Sequence, residues 1–159
     1  MTEQLTRTQI RKNRETVIKY LMEPERQKVT GMLETFSEPE CRCCLGHMSH
    51  VLGAERGEVE PDRFAVKRVT YDSEFAWAPP MVIQKLALND DCGTVKDTDF
   101  EIIKGAIHAT DCVNNFSSLS EINDSTEATP QMIGAYLQTV IEGGAGTPWK
   151  SLYNFPEVL

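Results

Sequence analysis

Cys41-Arg42-Cys43-Cys44-Leu45-Gly46-His47-Met48-Ser49-His50-Val51-Leu52 is the stretch on which the reading of this chain turns. Three of the five cysteines and two of the three histidines fall between Cys41 and His50. Leu45, Met48, Val51 and Leu52 recur at helical spacing, which predicts a helix from about Cys43 to Ala54. Gly53 lies in its last turn or caps its end. A helix this apolar belongs in the core, so the other elements are expected to pack around it, with Leu45 and Leu52 buried.

Upstream, Glu34 to Glu40 reads as a loop that delivers the chain to Cys41, and Glu25 to Leu33 as a short helix whose apolar side is Val29, Met32 and Leu33. Before it, Ile10, Val17, Ile18 and Leu21 predict an amphipathic helix from about Thr8 to Met22. Thr6 or Thr8 caps it, Pro24 ends it, and Arg11, Lys12, Arg14 and Lys19 are expected on its surface. That surface is either a plain solvated basic face or an arm for an anionic partner.

Downstream, Phe64, Val66, Val69 and Tyr71 alternate with Arg63, Lys67 and Arg68, and Phe75 and Trp77 follow the polar break Asp72-Ser73. The pattern predicts a small hairpin. Pro79-Pro80 stops it and opens a helix through Met81, Val82, Ile83, Leu86 and Leu88. Asp97, Thr98 or Asp99 can cap a helix through Phe100, Ile103 and Ile107. Leu119 and Ile122 form a short helical turn before the break Asn123-Asp124, and Thr129-Pro130 starts the last helix through Ile133, Leu137 and Ile141. Gly143-Gly144-Ala145-Gly146 ends it, and the aromatic tail with Trp149, Tyr153 and Phe155 packs back on the body or on a partner. Leu88-Asn89-Asp90 and Ile122-Asn123-Asp124 form a faint internal echo, for which chance is the simpler reading.

The fold class is therefore α+β, mainly α: a single compact helical domain with a small β-hairpin. Within 1–159 the reading separates an N-terminal basic helix (1–24), a helix pair (25–56), the hairpin (57–78), C-terminal helices (79–142) and the tail (143–159). An apolar fraction of 40% and a charged fraction of 25% are those of an ordinary soluble globular chain. No apolar run is long enough for a membrane span, and the polar Met1-Thr2-Glu3-Gln4 start has no secretory h-region. A cytoplasmic location, reduced cysteines and no membrane partner are expected.

The net charge of −8 is unevenly spread. Residues 1–30 carry seven Lys/Arg against four Asp/Glu, whereas residues 89–142 carry two against ten. Only the first helix could present several cations to a duplex, which argues against nucleic acid as the main ligand.

Gln27, Gly31 and Leu33, then Cys43-Cys44-Leu45-Gly46, Pro80, Leu119, Ile122-Asn123-Asp124, Thr129, Ile133 and Ile141 resemble a loose group of small proteins encoded by tailed bacteriophages. These carry a CCLG helix, a short hairpin, a PP or LP helix start and an LND turn before a C-terminal amphipathic helix. This chain departs from the group in the segment Asn89 to Asn115, which looks like an insertion, and at His47 and His50, where apolar residues are more common. The resemblance implies a mainly helical phage accessory protein in the host cytoplasm and implies no particular reaction.

The chemistry of the central stretch is weighed against packing. Cys43, Cys44, His47 and His50 could converge on zinc from one helix face, with Cys92, His108 or Cys112 as a fourth ligand. Their spacing matches no zinc ribbon or finger, and cysteine is a common core filler, so no cofactor is expected. A Cys–His nucleophilic pair would need a stabilised thiolate and an orienting third group, and the sequence identifies no such group. Walker A, G-x-G-x-x-G, G-x-S-x-G and H-E-x-x-H signatures are absent. The leading expectation is a non-enzymatic accessory protein that binds a host protein, in the phage setting one that could counteract host defence. Asp97, Asp99, Asp124 and Glu127 are its candidate partner contacts, with a solubility role as the plain alternative. A second expectation is a binder of a small anionic, nucleotide-like ligand gripped by Arg63, Lys67 and Arg68 near Trp77, and a third is a metal- or thiol-dependent enzyme at the Cys/His cluster. The oligomeric state is left open.

Overall fold

The first helix, α1 (Arg7–Leu21), shows how local chemistry sets an element. The Thr6 hydroxyl accepts from the Gln9 N–H at 3.2 Å while the Gln9 side chain accepts from the Thr6 N–H at 2.8 Å, a reciprocal capping box. Pro24 lies just beyond the last turn. In this computed structural model, residues 4–30, 32–35, 41–59, 68–95, 118–125 and 128–158 are described. Among them the helices that follow are α2 (Cys44–Val51), α3 (Pro80–Leu86), α4 (Leu119–Ser125) and α5 (Pro130–Thr139). Strands β1 (Arg56–Val59) and β2 (Arg68–Tyr71) pair antiparallel, Arg56 opposite Tyr71 and Val59 opposite Arg68. The fold is α+β, mainly helical and compact.

Several boundaries follow from residues legible in the sequence. Pro79 and Pro80 open α3, and the Thr129 hydroxyl caps α5 by accepting from the Met132 N–H at 3.2 Å, with Pro130 in the first turn. Gly53, at φ +87°, follows the α2 C-cap. The tail packs back: Trp149 and Leu152 are buried.

Other expectations are corrected. The described residues of Glu25 to Leu33 form no helix. Its backbone pairs instead with the approach to α2, through Arg42 N–H to the Gln27 carbonyl and Val29 N–H to the Arg42 carbonyl. Pro24 before it and the weak helix formers Thr30 and Gly31 within it leave little local resistance to that pairing. The hairpin partner of Arg68–Tyr71 is Arg56–Val59, a short and mostly exposed strand with no alternating apolar pattern. Asp72-Ser73, both at positive φ, form a separate tight turn in which Tyr71 and Glu74 exchange backbone hydrogen bonds. Phe64 and Val66, and the helix expected near Phe100 to Ile107, lie outside the described residues. Asn123 and Asp124 continue α4 rather than breaking it, whereas Leu88-Asn89-Asp90 is a loop, so the two triplets of the internal echo differ in structure and the rest of its first copy lies outside the described residues. Leu52 is only half-buried, as the C-cap of α2.

The core is not organised around α2 alone. α2 buries Cys44 through Ser49, yet α1 is the helix that touches α2, α3, α5 and the turn Leu152–Asn154. At its centre stands Arg14, expected on the surface and found fully buried. Its guanidinium donates to the carbonyls of Leu86 (2.9 Å), Ile141 (2.8 Å) and Lys150 (2.8 Å) and lies 4.5 Å from the Trp149 ring centre. Burial pushes its pKa down to about 9, which leaves it charged at neutral pH. Gly143 is required beside it, because a Cβ there would meet the Lys150 carbonyl.

Arg14→Met keeps the apolar stem and removes the donors, leaving three carbonyls without this partner. The variant should lose about 3 kcal/mol or more in a urea melt, since hydrogen bonds from a charged group are worth roughly 1.5–3 kcal/mol each. A loss below about 1 kcal/mol would show that the tail docks without this contact.

Candidate functional site

The region around α2 gathers most of the polar chemistry among the described residues. Cys43 is the N-cap, and its Sγ accepts from the Gly46 N–H at 3.3 Å. Gly46 is demanded by packing, because the Leu33 carbonyl occupies the space of a Cβ. The Cys44 N–H is taken by the side chain of Asn123 on α4 at 3.1 Å, and the same amide donates to the Val29 carbonyl at 2.9 Å. Asn123 thus caps a helix 79 residues away and ties α4, α2 and the Gln27–Val29 strip together.

Behind α2 lies a charge cluster in which Glu34 and Arg42 are buried and Arg56 is exposed. The Glu34 carboxylate accepts from Arg42 Nε (2.6 Å), Arg56 Nε (2.8 Å) and the Tyr71 hydroxyl (2.7 Å). Burial works against this carboxylate, but the hydrogen bonds from Tyr71 and Arg56 and the charge of Arg42 outweigh it and hold its pKa below the usual range. The cluster fastens the hairpin to the entry of α2. Arg42, set within the cysteine run, was the sequence signal for it: a cation among buried residues needs a partner.

The Cys/His candidates do not converge. Burial pushes the Cys43 thiol up to about 12 and raises that of Cys44, which lies over the Leu119 carbonyl at 3.7 Å. His47 is fully buried, with Nε2 at 2.8 Å from the Gln27 carbonyl. A carbonyl only accepts, so the neutral ring carries its proton on Nε2, and Nδ1 is left buried without a partner. Burial lowers the His47 pKa to about 4, the Gln27 carbonyl opposes this, and the charges of Arg42 and Arg26 add to it. His50 is exposed and packs on the rings of Tyr20 and Tyr71. A thiolate–imidazolium pair is therefore not assembled here. Among the described residues, the three potential ligand atoms that approach within 4.8 Å of one another belong instead to Asp90, Asp91 and Cys92. There the Asp90 carboxylate already accepts from the Cys92 and Thr94 N–H groups at 3.0 and 2.9 Å.

Of the anion-binding candidates only Arg68 and Trp77 are among the described residues. Arg68 lies over the Phe75 ring at 4.5 Å, and Arg63 and Lys67 are outside the described residues, as are Asp97, Asp99, Glu127, His108 and Cys112. Trp77 is instead brought together with Asp124, two residues singled out for different reasons. They share a cleft of about 170 Å³ with Met32, Cys43, Ala76 and Ser120. Met32 and Ser120 were missed, since nothing in their local patterns marks a recess formed by three distant segments.

No protein-family model, curated protein or solved structure matches this chain.

His47 makes stability depend on pH. The unfolded ring titrates near its ordinary 6.5 and the folded ring near 4, so stability is intact above 6.5 and falls as pH drops through that window. The loss amounts to about 3 kcal/mol at most. His47→Gln keeps a donor for the Gln27 carbonyl and should flatten the fall in denaturant midpoint across that window; an unchanged profile would assign the dependence elsewhere. Asn123→Ala should cost about 2 kcal/mol through the lost cap and the bond to Val29, measured by the same melts.

Proposed function

We propose that this chain is a non-enzymatic accessory protein that acts by binding a protein partner of opposite charge. The host origin of that partner, and any role against host defence, rest on the phage resemblance. The observation that carries the binding reading is the acidic surface beside Trp77, a large ring left 46% exposed. Asp91, Glu121 and Asp124 are all exposed there. Helix starts do not account for this acidity. Thr129 caps α5, and of the three acids only Glu121 lies in the first turn of a helix. Surplus like charge is mildly destabilising unless an opposite surface compensates it.

Two observations weigh against the other readings. Arg68 is stacked on Phe75 while Trp77 neighbours a carboxylate, a poor setting for a phosphate. The raised thiols of Cys43 and Cys44 and the lowered His47 remove the activated nucleophile that an enzyme at this cluster would need.

Native mass spectrometry of the protein isolated from cells that make it tests the reading: a protein adduct is expected, and a stoichiometric small molecule or zinc adduct would overturn it. With the captured partner, association should slow as the Debye length shrinks from about 10 Å to about 3 Å between 0.1 and 1 M salt. Glu121→Gln/Asp124→Asn should slow association at low salt and matter little at high salt. Equal rates for both proteins at both salt concentrations would reduce the acidity to a solubility feature.

A further inference from the structure

We propose that the cleft bounded by Met32, Trp77 and α4 is the docking site for a short cationic segment of a partner protein, which inserts one apolar side chain between the Trp77 ring and Met32. This rests on the binding reading above and specifies its site. The size of the recess decides what can enter. At about 170 Å³ it falls below the roughly 300–1,000 Å³ of pockets that enclose a whole small molecule, so it suits a single side chain. Its walls are of the kind that anchor partners: Trp77 is 46% exposed and Met32 38% exposed, an aromatic platform facing an adaptable thioether.

The walls are held before any partner arrives. The Leu33 N–H donates to the Phe75 carbonyl at 2.6 Å, fixing the Met32 strip to the Trp77 turn. The Ala78 N–H donates to the Asp91 carbonyl at 2.9 Å and the Ser120 N–H to the Cys92 carbonyl at 3.2 Å, so one loop braces both the turn and α4. Asn123 secures the other side of α4 to α2.

Charge selects the occupant. Asp124 lines the recess and also accepts from the Asn123 amide at 2.9 Å, and the exposed Glu121 and Asp91 belong to the segments next to it, Glu121 following the lining residue Ser120 and the Asp91 carbonyl accepting from the Ala78 N–H. On the other side, Lys28 contacts the Asn123 carbonyl at 3.0 Å and Arg68 covers Phe75. Carboxylates thus dominate the rim among the described residues, and a segment with Lys or Arg on both sides of an apolar residue complements both rim and recess.

Labelled peptides titrated into the full chain and read by anisotropy test the proposal. One peptide carries leucine flanked by arginines, a second has serine for the leucine, and a third has glutamates for the arginines. The Arg–Leu peptide should bind about tenfold or more tightly than either control, and Trp77→Ala should weaken it about tenfold or more. Tyr153→Ala, on an exposed ring elsewhere, should leave binding unchanged. Equal binding of the leucine and serine peptides, or indifference to Trp77→Ala, would overturn the cleft while leaving charge-driven binding intact. Failure of every peptide would overturn the cleft too, and the protein adduct sought by mass spectrometry then decides the broader reading separately. Self-association abolished by Trp77→Ala would overturn the partner segment and assign the recess to a second copy of this chain.

Discussion

The buried guanidinium of Arg14 is the contact on which the arrangement of the helices depends. Its three acceptors come from the end of α3, the exit of α5 and the tail, so one side chain of α1 joins three segments that are also tied to one another by backbone bonds such as Lys150 N–H to the Ala87 carbonyl and Leu152 N–H to the Glu142 carbonyl. Apolar contacts tolerate sliding, whereas a planar fork with three donors satisfied admits one arrangement. The Trp149 ring covers this cation, and its own indole N–H donates to the Val140 carbonyl at 2.8 Å. Geometry near the α5 exit is thereby set twice.

Glu34 plays the matching part on the other side of the core. It accepts from Arg42 and the part-exposed Arg56 at once and receives the Tyr71 hydroxyl. Buried charge of this kind contributes little net stability compared with apolar packing of the same volume, but losing one member leaves the others stranded. The hairpin is small and β1 mostly exposed, so this cluster joins the buried Val69 and Tyr71 of β2 in holding it to the body. Asn123 completes the set by tying α4, which borders the Trp77 cleft, to α2 and the Val29 carbonyl.

Legibility in the sequence tracked the range of the deciding interaction. Thr6, Pro79-Pro80 and Thr129-Pro130 act within one turn, and the helices they start were readable. β1 and the Gln27–Val29 strip are held by partners far along the chain, and local pattern misassigned both. Arg14 was readable in part: it falls in the stripe of Ile10, Val17, Ile18 and Leu21, and treating every cation as solvated hid that signal. The candidate site was half legible. Trp77 was singled out as a ring beside an anion-binding cluster and Asp124 as a surplus acid, but their meeting depends on a recess that no single segment encodes.

The Arg14 contact also sets an order of assembly. Its acceptor at Lys150 is 136 residues further along the chain, so during synthesis α1 emerges long before the segment that satisfies its buried cation. Until residues near Trp149 follow, the guanidinium must remain hydrated, and the apolar stripe beside it cannot close over. Ordering a loop of that length carries an entropic cost that is recovered only when the distant contacts form. The packed interior around α1 therefore waits on contacts with residues near Trp149, which follow it by more than a hundred positions.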